Sequence, residues 1–361
     1  MEFALSDDQR MFQDSVKGFL DEAAPLDTVR KAAGGDAAIP AALSKGLTDL
    51  GATQILASED HGGLGLGLLD AVLVQEALGA AVAPGDHLSA ALALIGIASA
   101  GAAEQQAVWL PKIASGEVRF GVAVKERTGA RDGAGVSSDD GKLTGKSLFA
   151  LDTSQATHIL VCDTEGRLHI AEASASGLTR NTLTTIDKTR DYAELVFDKV
   201  AATALAGENE PGLAADKMIS AGRLLLAADT LGAAQTMLDK AVAYALERKQ
   251  FNRVIGSFQS VKHLCAEMAA HLEPARALVW HAAHAKDKDM EEAEIMVLLA
   301  KSHLAEIGAF IARTATEVHG GMGFTDLLGL HYWFKRIGAN RQLFGGPEQL
   351  RDEAARLQGW A

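Results

Sequence analysis

The sequence predicts an α+β chain with an N-terminal helical domain, a middle antiparallel β domain and a C-terminal helical bundle. Three observations predict it. Apolar residues recur at helical spacing from Ser6 to about Ile113, short runs of β-forming residues separated by turns fill the middle, and long helical patterns return after Gly212. We place the domain boundaries at 1–118, 119–206 and 207–361.

The first helix is predicted to begin at Ser6. Gln9 follows three residues later, which is the spacing of a capping box. The apolar positions that then recur at helical spacing are Met11, Phe12, Val16, Phe19 and Leu20. The glycine-rich run His61–Gly65 is predicted as a turn between helices and not as a phosphate loop, because no Gly-Lys-Ser/Thr follows it and no clear strand precedes it. Helix is predicted again over Leu68–Leu78 and Leu88–Ala98.

The middle of the chain is predicted to form strands. The runs of β-forming residues are Phe120–Val124, His158–Val161, Leu168–Ala171 and Glu194–Phe197. Turn residues such as Asp139-Asp140-Gly141 lie between them, which favours a small antiparallel sheet.

The last third is predicted to be a bundle of long helices. Met218–Leu246 reads as one helix, about 43 Å long at a rise of about 1.5 Å per residue, and Ser257–Ala285 and Met290–Val318 read as two more. A final helix is predicted to open at Pro347, since proline is well tolerated in the first turn. Pro274 is expected to kink its helix or to end it early.

Composition limits the classes of function. The 361 residues include 48% hydrophobic and 22% charged residues, which is typical of a folded globular protein, and the net charge of −13 argues against a nucleic-acid partner. No run reaches the ~20 uninterrupted apolar residues of a membrane helix. The acidic N-terminus does not resemble a signal peptide, so a cytoplasmic location is expected. Cys162 and Cys265 lack the spacing of a disulfide framework or a metal site.

Several motifs occur in an order that resembles the acyl-CoA dehydrogenase family over essentially the whole chain. The motifs are Leu50-Gly51, Glu59–Gly65, Leu110–Glu117, Leu143–Lys146, Glu247–Phe251, Ile255–Gln259 and Glu317–Thr325. The resemblance implies a tetramer that binds FAD between the β domain of one subunit and helices of its neighbours. It also implies α,β-desaturation of an acyl-CoA thioester, with a carboxylate as base, flavin N5 as hydride acceptor and an electron-transfer flavoprotein as the next electron carrier.

The positions that carry the family's catalytic base hold glycine in this chain. Phe344-Gly345-Gly346-Pro347 matches the Tyr-Glu-Gly-Thr type of turn, so Gly345 stands where the glutamate is usual. The alternative position of the base, just before an arginine in the long helix, matches Gly222. Glu348 is a possible displaced base, but a carboxylate just after a helix-opening proline also favours the helix N-terminus by its charge.

The motif that receives the flavin ring is also altered. Where the family has Thr-Glu-Pro-x-Ala-Gly-Ser-Asp, this chain places Lys125 for the threonine and Arg131 for the serine, while Glu126 and Asp132 keep their places. Phe149-Ala150-Leu151 matches the family's Trp-Ile-Thr and lacks the hydroxyl. Lys125 and Arg131 either bind a CoA phosphate or fill the vacated ring site.

The residues that the family lends to a neighbour's FAD are kept. By resemblance, the cofactor-binding residues are Arg248, Phe251, Gln259, Gly320 and Gly321. An arginine pairs with a pyrophosphate through charge-assisted hydrogen bonds. Glu317 stands where a glutamine is usual, and we do not expect a carboxylate to contact the pyrophosphate.

This asymmetry resembles heterotetrameric α2β2 acyl-CoA dehydrogenases of bacterial steroid degradation. It predicts a subunit without the base, whose partner is a second acyl-CoA dehydrogenase-like subunit, acting on a lipid or steroid acyl-CoA. Two alternatives stay open: an active homo-oligomer with Glu348 as displaced base, and a non-catalytic acyl-CoA-binding or scaffold protein.

Overall fold

The structure is a computed structural model that describes residues 4–129, 131–207 and 210–360. Its helices are α1 Asp7–Ala23, α2 Leu26–Ala33, α3 Ala38–Asp49, α4 Leu68–Ala80, α5 His87–Ala100, α6 Ala103–Ala114, α7 Leu213–Glu247, α8 Gln259–Asp287, α9 Ala293–His319, α10 Leu330–Gln342 and α11 Pro347–Leu357. Its strands are β1 Phe120–Ala123, β2 Gly135–Asp139, β3 Lys142–Leu151, β4 His158–Cys162, β5 Leu168–Glu172, β6 Leu178–Thr182, β7 Tyr192–Ala201, β8 Thr203–Ala204, β9 Lys249–Gln250 and β10 Arg253–Val254. The predicted fold class is confirmed.

The capping box at the start of α1 is confirmed. The backbone N–H of Gln9 donates to Ser6 Oγ at 3.1 Å, and the Ser6 N–H donates to Gln9 Oε1 at 3.1 Å. These two bonds satisfy donors that a helix N-terminus leaves unpaired. Val16 and Leu20 are buried on one face of the helix, as their spacing predicts.

The eight-stranded sheet of the described residues runs in the order β6-β7-β3-β1-β4-β5-β8, with β2 paired to β3. The prediction of an antiparallel sheet is wrong for one pair, because β1 and β4 are parallel. The β2–β3 hairpin separates these two strands in the sequence and pairs on the other side of β1. Its turn is the predicted one, with positive φ at Asp140 (44°) and Gly141 (69°), as a tight hairpin requires.

The long helix α7 extends over 35 residues, slightly beyond its predicted bounds. Helix α8 continues through Pro274, so the expectation of an early end is wrong, and α11 begins at Pro347 as predicted. The segment Ala293–Phe324 is apolar and long enough to cross a membrane, with a mean hydropathy of 1.6 in its most apolar window, but 61% of that window is buried in the fold. This burial is the pattern of a core helix.

Helix α10 was not predicted, because polar residues interrupt the apolar pattern of its buried face. That face consists of Leu330, Trp333, Arg336, Ile337 and Asn340. Arg336 and Asn340 both donate to Asp229 of α7, which is fully buried, at distances of 2.7–3.0 Å. Gln75 donates to the same carboxylate at 2.8 Å. A buried ion pair with its hydrogen bonds satisfied thus adds to the apolar packing of this helix.

The described chain divides into two compact units. One contains the residues up to Arg30, Val72–Ala83 and the residues from Arg223 onward, and we call it the helical unit. The other contains Lys31–Ala71 and Pro84–Gly222, and we call it the sheet unit. The three predicted domains are a different division of the chain and stay a prediction.

Candidate functional site

Gly345, which by its sequence motif matches the position of the family's base, has a backbone conformation that favours glycine. Gly345 is buried with φ +112°, a conformation that side-chain-bearing residues rarely adopt, and a Cβ built on it would lie 2.9 Å from Leu350 Cδ2. A glutamate at this position would therefore be strained.

Arg223, the residue after Gly222, contacts the turn that contains Gly345. Arg223, which follows Gly222, is 5% exposed and donates from Nε to the carbonyl of Phe344 at 3.0 Å. Its two Nη atoms each donate to Glu353 at 2.9 Å. One hydrogen bond thus joins Arg223, next to Gly222, to Phe344, next to Gly345. The carboxylate of Glu353 forms a bidentate pair with Arg223.

Glu348 does not have the environment of a general base. Its side chain is 74% exposed, and hydrogen bonds from its own backbone N–H and from Arg341 at 3.2 Å hold the pKa of its carboxyl below the usual range. A base that removes a weakly acidic proton needs a pKa near the working pH. The geometry favours the alternative role, in which Glu348 stabilises the N-terminus of α11.

The altered ring motif lies in the sheet unit between β1 and β2. The carboxylate of Glu126 accepts from Ser147 Oγ at 2.8 Å and from the Leu148 N–H at 2.6 Å, so it holds an irregular stretch of β3. The Arg131 guanidinium lies over the ring of Phe149, 5.8 Å from its centroid. An arginine thus covers a face of the aromatic residue that matches the family's tryptophan.

Lys125 is held beside the same motif. Its Nζ donates to Thr128 Oγ1 at 3.0 Å, and burial lowers the pKa of its ammonium group against the attraction of Glu126. Lys125 and Arg131 therefore both have partners within this motif, which supports the filling of the ring site over the binding of a CoA phosphate.

The residues predicted to reach a neighbour's cofactor lie in the helical unit and are exposed. Arg248 follows the end of α7, and its side chain has no hydrogen bond or ion pair within the described part of the chain. Phe251 and Asn252 form the two-residue turn of the β9–β10 hairpin with φ of 52° and 63°, and the Phe251 side chain is 86% exposed. Gln259 begins α8 and lies 2.8 Å from His263 through its Nε2.

The glycine turn at the end of α9 leaves free space beside its backbone. Gly320 has φ 58° and ψ −140°, its N–H donates to the carbonyl of Glu317, and apart from its chain neighbours no residue lies within 4 Å of a Cβ built on Gly320 or on Gly321. The Glu317 side chain is exposed. Space for close approach and an unpaired guanidinium fit the pyrophosphate of a dinucleotide, because such an anion needs room beside the backbone and positive charge.

One contact that sequence reasoning missed brings these groups to the same end of the helical unit. The rings of Tyr244 in α7 and His319 in α9 are stacked with centroids 4.6 Å apart. The ends of α7 and α9 are therefore adjacent, which places Arg248 and the glycine turn at the same end of the helical unit. His319 lies in the glycine motif of the sequence, directly before Gly320. Its partner Tyr244 is 75 residues away along the chain, so the sequence did not indicate their contact.

The sheet unit contains a separate cavity of about 560 Å³ that the sequence did not predict. Its lining includes Asp152, Asp187, Arg119 and Arg190. Asp152 accepts a hydrogen bond of 2.5 Å from Ser89 Oγ, and burial raises the pKa of its carboxyl to about 7. No group of three or more metal-ligating side chains occurs among residues 4–129, 131–207 and 210–360.

Comparisons with known proteins cover nearly the whole chain. Residues 6–117 match the family model of the acyl-CoA dehydrogenase N-terminal domain, and residues 213–357 match that of the acyl-CoA dehydrogenase C-terminal domain. The chain is 29% identical to acyl-CoA dehydrogenase IpdE2 of Mycolicibacterium smegmatis, over 96% of this chain and 98% of the relative.

Two solved structures are similar over their whole length. The ChsE4-ChsE5 complex from Mycobacterium tuberculosis contains a chain that superposes with a TM-score of 0.91 at 25% identity, with all of both chains covered. A Tcur3481-Tcur3483 steroid ACAD G363A variant superposes with a TM-score of 0.89 at 26% identity, with 98% of each chain covered.

Proposed function

The chain belongs to the acyl-CoA dehydrogenase family, and from this premise we propose that it is the subunit that lacks the base in an FAD-dependent hetero-oligomer. The observation that carries the proposal is an asymmetry. Glycine fills the base position and Arg131 covers Phe149 at the chain's own ring site, while Arg248 and the turn at Gly320 are open to solvent.

The residues of this chain would hold a cofactor that is seated mainly in the partner subunit. Arg248 would pair with the pyrophosphate, the glycine turn at Gly320 and Gly321 would let the backbone approach it closely, and Gln259 would add a polar contact. Phe251 would contribute an exposed aromatic face. FAD, when bound, accepts the β-hydrogen of the acyl-CoA as hydride.

In this proposal the partner subunit removes the α-proton of the acyl-CoA thioester. Neither Gly345 nor Gly222 can accept it, and Glu348 is exposed and paired with Arg341. A glutamate of the second acyl-CoA dehydrogenase-like subunit would remove the α-proton of the thioester. Electrons would then pass to an electron-transfer flavoprotein.

The substrate class is proposed from the similar proteins. The Tcur3481-Tcur3483 protein is described as a steroid acyl-CoA dehydrogenase (ACAD), and the ChsE4-ChsE5 structure is a complex. Both support a hetero-oligomer that acts on a lipid or steroid acyl-CoA in a catabolic pathway.

The test is to purify the chain alone and together with the candidate partner subunit, and to measure native mass, flavin per chain and desaturation. We expect flavin and turnover only in the complex, with fewer flavins than chains. A yellow homo-oligomer that desaturates acyl-CoA would refute the proposal, and a complex that binds acyl-CoA without flavin would favour a scaffold.

A matched pair of arginine variants tests whether Arg248 of this chain contributes to FAD binding. Arg248→Ala should weaken FAD binding by the complex at least about tenfold, since a charge-assisted hydrogen bond is stronger than a neutral one. Arg10→Ala removes an exposed arginine of α1 in the same unit and should leave FAD binding unchanged. Equal affinity in the two variants would contradict the assignment of Arg248.

A further inference from the structure

The imidazole of His319 is buried at the last position of α9. It is 5% exposed, and Nδ1 donates to the carbonyl of Ala315 one turn earlier at 2.7 Å. This bond holds the ring against the last turn of α9. The chain then leaves the helix through Gly320 with φ 58°. His319 is therefore the last helical residue before the glycine turn.

The same ring anchors α9 to α7. It stacks on Tyr244 at an interplanar angle of 28°. This stacking and the hydrogen bond to Ala315 hold the ring against both helices. The glycine turn is thus held at a set place along α7.

Tyr244, which His319 contacts, lies in the last turn of α7, and Arg248 directly follows that turn. The Arg248 N–H donates to the carbonyl of Tyr244 at 2.8 Å, and the Arg248 carbonyl accepts from the Ile255 N–H at 2.8 Å. The hairpin with Phe251 at its tip lies between these two residues, and a Cβ built on Gly256 would lie only 2.9 Å from the carbonyl of Ala245. The arginine, the hairpin and the glycine turn thus share one anchor point.

We propose that His319 is a positioning residue that sets the glycine turn at Gly320 and Gly321 against Arg248, so that both meet one cofactor phosphate group. The proposal rests on the proposed function, in which these groups bind FAD of the partner subunit. It adds a residue that touches no cofactor and acts through Tyr244.

The test measures the dissociation constant of FAD in the purified complex, by flavin fluorescence, for His319→Ala, Arg248→Ala and the double variant. Alone, His319→Ala should weaken binding about tenfold, whereas in the Arg248→Ala background its effect should fall below about twofold, since residues that act through one contact are not additive. Tyr244→Leu should reproduce the effect of His319→Ala, and Tyr244→Phe, which keeps a ring, should restore normal binding.

A stability control separates positioning from general loss of structure. Val297→Ala removes buried methyl groups of α9 and should lower the melting temperature without changing FAD affinity measured well below it. Additive effects of His319→Ala and Arg248→Ala, or normal binding by both His319→Ala and Tyr244→Leu, would overturn the inference. If Arg248→Ala alone binds FAD normally, the proposed function fails instead. If His319→Ala does not fold, the comparison of Tyr244→Leu with Tyr244→Phe decides.

Discussion

Two buried titratable groups of the sheet unit should give folding stability opposite dependences on pH. His87 is buried, neither ring nitrogen has a hydrogen-bond partner among the described residues, and burial lowers the pKa of its imidazole from 6.5 to about 4. Asp152 is buried against Ser89, and burial raises the pKa of its carboxyl from 3.8 to about 7.

The signs follow from which state binds the proton more tightly. Between pH 6.5 and 4 the unfolded chain protonates His87 and the folded chain does not, so the free energy of unfolding falls as the pH is lowered. Between pH 3.8 and 7 the folded chain keeps the proton on Asp152 and the unfolded chain releases it, so the free energy of unfolding falls as the pH is raised. Each slope is about 1.4 kcal/mol per pH unit.

The magnitudes nearly cancel. The pKa of His87 is lowered by about 2.5 and that of Asp152 is raised by about 3. These changes correspond to about 3 and about 4 kcal/mol of unfolding free energy over the full pH range of each group. Between about pH 4 and pH 6.5 the intact protein should therefore show almost no net slope from these two groups.

Single substitutions should separate the contributions of the two groups to the pH dependence of the free energy of unfolding. In Asp152→Asn, stability should rise with pH by about 1 kcal/mol per unit more than in the parent, and in His87→Asn it should fall by a similar amount. The assay is urea unfolding at several pH values between about 4.5 and 6.5, with slopes compared among variants. Asp8→Asn, an exposed change, serves as the control. If Asp152→Asn and His87→Asn both keep the slope of the parent, the reasoning is refuted.

Three further predictions concern the helical unit. Gly345→Glu should lower stability by about 1–3 kcal/mol through backbone strain and should not create a desaturating homo-oligomer, as thermal melting and a turnover assay would show. Asp229→Leu should cost about 3–5 kcal/mol in urea unfolding because it removes the buried carboxylate that balances the charge of Arg336, and an unchanged midpoint would contradict this. Gly232→Ala should destabilise as well, since its Cβ would collide with the backbone carbonyl of Glu76, and a melting temperature equal to that of the parent would count against the close approach.

The sequence predicted elements that carry a strong local signal. The capping box at Ser6, the long helix α7 and the helix that opens at Pro347 follow from cap chemistry and apolar spacing alone. The middle strands were only partly predicted, since β2, β3 and β6 contain many polar residues that face solvent. Helix α10 was missed because the buried polar residues Arg336 and Asn340 interrupt its apolar pattern, and their partner Asp229 is far away in the sequence.

The amino-acid sequence by itself determined the family, the order of helical and sheet regions, and the absence of glutamate at Gly345 and Gly222, because these depend on residue identity and local spacing. Only the tertiary structure decided that Gly345 has a conformation that side chains rarely adopt, and that His319 stacks on Tyr244, which brings the ends of α7 and α9 together. These features depend on contacts between residues that are distant along the chain and come together only when the helices pack. Local sequence patterns therefore do not predict them.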